Sequence, residues 1–287
     1  MSSQITTAFV EQYSNNVTML SQQKGSLLRD NVDSETVQGK NAFFEQIGSV
    51  AAVKRTSRHG DTPQLDTPHA RRRVSLVDYE YADLIDDQDK IRTLIDPTSS
   101  YAQAAAFAMG RAMDDEIIAA ATGTAFTGVS GGTSTALPAG QAITESGTDG
   151  LTIAKLREAK RTFDLASVDP SIKRYMVVSP RQIDDLLGTT SVTSADFNTV
   201  RALVTGEVNT FMGFEFIVSN RLSIASSKRL CFAYAADGIK LAIGKDVMSR
   251  IDERSDKGYS TQVYYCASFG ATRMEEEKVV SIQAHEA

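Results

Sequence analysis

The stretch DPTSSYAQAAAFAMGRAMDDEIIAAATG, residues 96–123, decides how the rest of the chain is arranged. Asp96 supplies an N-cap acceptor, Pro97 has the fixed φ and missing N–H suited to a first helical position, and Gly123 suits the residue past the end. Between them Ala102, Ala106, Met109, Met113, Ile117 and Ala120 keep the helical period. The pattern predicts a helix over 97–122, a rod of about 26 residues and roughly 39 Å. One straight element of that length can organise a whole subunit.

Toward the N-terminus the character changes twice. From Gly48 to Asp83, Val50 to Arg55 and Arg73 to Tyr81 alternate as strands do, around a centre rich in Pro, Gly, Asp, His and Arg. This reads as a long two-stranded excursion with a mobile tip, too poor in apolar surface to be stable alone. Before it, Ile5, Phe9, Tyr13, Val17 and Leu20 form an apolar stripe on one side of a helix. No adjacent segment can cover that stripe, so the N-terminus reads as an arm packing on a distant part of the chain or on another subunit.

Toward the C-terminus, residues 123–150 are dominated by Gly, Thr, Ser and Ala and read as a loop or exposed hairpin. A helix over 152–165, a buried strand over 175–179 and a helix from Pro180 to Leu187 indicate an α/β lobe. After a polar, helix-like stretch, 211–219 and 230–243 add strands. Residues 246–269 read as a long hairpin turning near Asp256-Lys257-Gly258, with Val263, Tyr265, Ala267 and Phe269 on one face. A last strand spans 278–282. There is no internal repeat and no heptad run.

With 287 residues, 41% hydrophobic and 23% charged, the chain can bury a real core. It has no apolar run of membrane-spanning length, and its first residues lack a signal-peptide pattern, so the expected site of synthesis is the cytosol. Cys231 and Cys266 are far apart and read as buried, reduced side chains. The net charge of −6 argues against the basic footprint of a sequence-independent nucleic-acid binder.

The order arm, long hairpin, spine helix, α/β lobe, second long hairpin and terminal strand resembles the Hong Kong 97 fold of tailed-bacteriophage major capsid proteins. Tyr175-Met-Val-Val-Ser-Pro-Arg-Gln-Ile-Asp-Asp-Leu-Leu187 looks like the strand and helix opening the axial domain of that family, and Gly206 to Asn220 is similar to the strand approaching its centre. The resemblance implies an α+β chain with an N-terminal arm over 1–45, an extended loop over 46–82 and a peripheral domain over 83–150 that carries the spine helix. It further implies an axial domain over 151–244, a peripheral hairpin over 245–273 and a strand returning to the axial domain over 274–287.

In function it implies a non-enzymatic subunit that binds copies of itself as hexamers and pentamers. These close an icosahedral head around double-stranded DNA that is not read in sequence. A separate scaffolding protein, a portal and a decoration protein are the partners it suggests, with the virion as destination and the host bacterial cytoplasm as place of assembly. Lysine to asparagine crosslinking is not carried over, because Lys54 lies at the base of the excursion.

In such a shell the basic groups Arg55, Arg58, Arg71, Arg72 and Arg73 would meet acidic groups of a neighbour, with Asp83, Asp86, Asp87, Asp89, Asp114, Asp115 and Glu116 as candidates. The alternatives are a solvated charge run for the arginines and packing within its own subunit for the Ile5, Phe9, Tyr13, Val17 stripe. A nanocompartment shell of the encapsulin type shares the fold and is the nearest rival function.

An enzyme is the rival from another class. Gly128-Val-Ser-Gly-Gly132 matches a nucleophile pattern and would make Ser130 a hydrolase serine, but an elbow needs a strand before it and a helix after it. The histidine following Ser130 is His285, near the last residue. His59 and His69, with Asp61 and Asp66, have no recognised metal-ligand spacing. No phosphate-binding glycine motif is present. The sequence nominates no catalytic residue, cofactor or metal.

Overall fold

A computed structural model describes residues 21–58, 60–62, 64–86, 98–144, 148–188 and 210–286. The spine helix α1 runs Thr98–Thr122, with the expected period and with Gly123 just past its end. Its buried stripe is Ala105, Met109, Met113, Ile117 and Ala121, so the expected face is right at its centre and shifts by one residue at each end. Pro97 and the expected cap Asp96 lie outside the described residues.

The stripe packs on a four-stranded sheet ordered β1 (Asp33–Thr36), β13 (Ile239–Arg254), β14 (Ser260–Arg273) and β4 (Val77–Ile85). The β13–β14 hairpin turns at 255–258 as expected but starts at Ile239, well before residue 246. Val263, Ala267 and Phe269 are buried toward the helix, and Tyr79 stacks on Phe269 with centroids 4.7 Å apart.

A second sheet forms the core of the α/β lobe, ordered β7 (Ala142–Ile143), β15 (Val279–His285), β12 (Lys228–Ala235), β8 (Arg174–Val178), β10 (Phe214–Val218) and β9 (Thr210–Phe211), with β11 (Ile224–Ala225) beside β12. Every residue of β8 is buried, which is why Tyr175 to Val178 run apolar without alternating, while Arg174 at its start pairs with Asp164 at 2.9 Å. Helix α2 (Ile153–Leu165) is capped by Thr152 and buries Leu156, Ala159 and Phe163, and helix α3 (Pro180–Gly188) follows β8 directly. The last strand is longer than expected. Beyond it Arg229 grips Glu286, which also accepts from Ser179 and Gln182, and this holds the Glu286 carboxyl down at about 2.

A third sheet is ordered β2 (Asn41–Ile47), β3 (His69–Ser75), β5 (Ala125–Thr127) and β6 (Thr133–Thr135). Within the Gly/Ser/Thr-rich segment, 125–135 are therefore the hairpin β5–β6 at the edge of this sheet, whereas Ala142–Ile143 leave it to join the second sheet as β7.

Two expectations are corrected. Val50 to Arg55 is not a strand; residues 48–58 have no regular structure, and the partner of β3 is β2. The alternation there has nothing to pair with, because the return segment 60–68 is rich in turn residues, and the excursion closes instead at its base, where Gly48 N–H donates to Pro68 O at 2.9 Å. Second, residues 33–36 and 41–45, expected within the arm, lie in strands, the second of which continues to Ile47. β1 adds in parallel to β13, and Lys240 reaches both Asp33 and Glu35. Such short polar strands exist because of the ladder they join.

Candidate inter-subunit surfaces

The arginine run lies on β3, where successive side chains point to opposite faces. Arg72 turns inward and is 6% exposed; its Nε donates to Met274 O at 2.8 Å and its Nη2 to both oxygens of Glu276. Arg71 and Arg73 turn the other way. Arg71 pairs with Glu45 directly across β2 and lies over the Phe43 ring, and Arg73 lies over Phe126, 4.7 Å from the centroid. Of these three, Arg72 is a correction, since a buried guanidinium forked on Glu276 cannot face a neighbour. Arg55 and Arg58 are exposed on the excursion, and Arg55 donates to Ser57 O at 2.8 Å.

Asp114, Asp115 and Glu116 follow one another on α1, so their side chains leave the rod about 100° apart and reach three different parts of the molecule. Asp114 is fully buried and accepts from Gln23, Ser26 Oγ and the backbone N–H groups of Leu27 and Leu28. Gly110, one turn earlier, makes room for this crossing, since a Cβ there would sit 2.5 Å from the Gly25 carbonyl carbon. Asp115 takes the forked guanidinium of Arg221 from the loop after β10. Glu116 accepts from the Tyr79 hydroxyl on β4, whose pKa is raised by burial and then by this carboxylate.

Asp114 is therefore a second correction: a carboxylate with no exposed surface is closed to any neighbour. Asp115 and Glu116 also have partners within the chain. Asp86 accepts from Ser260 Oγ. Ile5, Phe9, Tyr13, Val17, Asp87 and Asp89 lie outside the described residues.

Arg221 and Arg273 escape a sequence reading. Arg273 is buried completely and donates to Ala121 O and Gly123 O at the end of α1, where the helix dipole favours a cation, and to Thr135 O on β6. The polar triplet inside an apolar helix signals that partners exist, but nothing in the pattern says where they come from.

What the subunit leaves uncovered is the excursion. Every described residue from Gly48 to Ala70 is exposed, including Val50, Val53 and Leu65, and Ile47 at its base is 70% exposed. Ser130 occupies the exposed turn between two strands, β5 and β6, so the strand–turn–helix geometry of a nucleophile elbow is missing. His285 ends β15 in a different sheet, and its N–H donates to Asp149 O. His69 begins β3, His59 lies outside the described residues, and no group of three metal-ligating side chains occurs among the described residues.

A family model described as phage capsid protein matches residues 5–286. No curated protein sequence matches the chain. The fold is similar to the capsid of cyanophage P-SCSP1u, with a TM-score of 0.72 and 18% identity over 99% of this chain and 95% of that one. It is also similar to the capsid of Ralstonia phage GP4, with a TM-score of 0.73 and 11% identity over 98% and 96%. The capsid of a native GTA particle gives a TM-score of 0.70 and 11% identity over 98% and 96%.

Proposed function

The chain belongs to the phage capsid protein family and is a major capsid protein of a phage head shell, and from this premise we propose that it closes an icosahedral container around double-stranded DNA. The observation that carries the reading is the excursion: a basic segment with exposed Val50, Val53 and Leu65 that its own subunit leaves bare. A contact of one such element with a different patch on the next copy is heterologous and closes into rings when repeated by rotation. Arg55 and Arg58 set the register of that contact and Val50, Val53 and Leu65 supply its apolar area.

The domain names follow the same reading. Residues 1–45 are an arm anchored by Asp114, 46–82 hold the extended loop, 83–141 with 239–273 make the peripheral domain and 142–238 with 274–287 the axial domain, the expected bounds at 150 and 244 moving because β7 pairs in the lobe sheet and β13 in the spine sheet. Scaffold, portal and decoration proteins act on this subunit during assembly in the host cytoplasm. The net charge of −6 fits a container that encloses DNA without sequence recognition, since a strongly basic lining would retain phosphate contacts.

Expression of the full chain, alone and with candidate scaffold, followed by sedimentation and negative-stain microscopy, tests the reading. Rings, tubes or shells are expected, with nuclease-protected DNA in native particles. A stable monomer or dimer at high concentration would overturn it, and particles filled with protein cargo instead of DNA would favour a nanocompartment.

A further inference from the structure

The β13–β14 ladder carries the long peripheral hairpin, and it has one weak point. Its register slips between Ile243 and Lys245 and again between Lys245 and Met248, so the ladder is locally interrupted by a bulge. At that interruption Lys245 Nζ lies 3.1 Å from Cys266 Sγ. Lys245 is exposed while Cys266 is 8% exposed, so the pair stands at the surface with its thiol mostly covered.

The surroundings favour chemistry at this pair. Cys266 stands opposite Glu80 on β4, and the Tyr264 hydroxyl donates to Glu80 Oε1 at 3.0 Å, so a carboxylate and a phenol share the face with the thiol and the amine. Asp78 stands opposite Ser268, itself the ladder partner of Lys245. The other cysteine offers no disulfide: Cys231 lies on β12 in a different sheet, fully buried, with its thiol pushed up to about 12 by that burial.

We propose that Lys245 and Cys266 form an oxidation-driven covalent N–O–S bridge that staples the β13–β14 hairpin at its bulge. The oxidant is dioxygen. One N–H and the S–H bond break together with the O–O bond, and one N–O and one O–S bond form. Nitrogen and sulfur each give up two electrons and dioxygen accepts all four; one of its oxygen atoms bridges and the other leaves as water with the two released hydrogens. A thiol reductant reverses the bridge to amine and thiol. The bridge forms after the subunit leaves a reducing cytosol, and it spans the place where the backbone ladder cannot hold the strands.

The test exposes the purified full chain and assembled particles to air, followed by intact-mass measurement and peptide mapping. The expected product is heavier by one oxygen and lighter by two hydrogens and joins the peptides of Lys245 and Cys266. Alkylation of Cys266 and acylation of Lys245 are lost together, and dithiothreitol restores both. Lys245→Arg and Cys266→Ser each abolish the linked species, and oxidation raises the melting temperature of the wild type alone. Two outcomes overturn the proposal: Cys266 that remains fully alkylatable after oxidation, or Cys266 that climbs to sulfinic acid while Lys245 still acylates. Both are read on the wild-type chain, so a variant that folds poorly does not decide the result.

Discussion

Asp114 carries the arm's attachment to the spine. Four donors from residues 23–28 converge on one carboxylate with no exposed surface. Removing it leaves the Leu27 and Leu28 N–H groups without their acceptor, a penalty of about 2–3 kcal/mol. Asp114→Ala is therefore expected to lower the denaturation midpoint and to speed hydrogen exchange at Leu27 and Leu28, and Asp114→Asn to recover part of the loss through its remaining oxygen. Unchanged exchange at those amides would mean that other contacts hold the segment. In sequence the acidic run on this helix reads as a candidate contact for a neighbouring subunit. That reading failed for Asp114 because its donors lie 86 to 91 positions away along the chain. Arg72 failed it too, since the alternation that turns it inward depends on which face of β3 is covered.

At the scale of elements, sequence signals worked where they were local. The helix α1 announces itself through the Asp96-Pro97 start, a four-residue apolar repeat and Gly123. Helix α2 has its Thr152 cap, and β8 with α3 reads directly from an apolar run followed by Pro180. The signals failed where an element exists through its partner, as in β1 on β13, or lacks one, as at Val50 to Arg55. The end of α1 also depends on a distant group. Arg273→Ala would strand three carbonyls and open a cavity, and a loss of about 3 kcal/mol is expected in thermal or denaturant unfolding. Arg273→Lys should fail to restore it, because an ammonium cannot reproduce the guanidinium fork across Ala121, Gly123 and Thr135. Full rescue by lysine would show that charge alone caps the helix.

For the whole molecule, folding and assembly are separable at the excursion. β3 belongs to the third sheet and β4 to the first, and Val74 and Ile85 are buried, so an excision reaching residue 80 would damage the core. Excising 50–66 instead joins Ser49 to Thr67 inside the Gly48 to Pro68 closure. The shortened chain is expected to melt close to the wild type yet form no shells; normal particles would place the essential contact elsewhere. The sequence by itself determined the α+β class, the spine helix, the α/β lobe, the long hairpin and the resemblance to a capsid subunit, because cap residues and apolar period act within a few positions. Tertiary structure alone decided that Asp114, Asp115 and Glu116 tie three parts of one subunit together, that Arg72 and Arg273 are internal, and that Lys245 meets Cys266. Those outcomes depend on which distant strands pair and in what register, and pairing energies between remote segments leave no local trace in the chain.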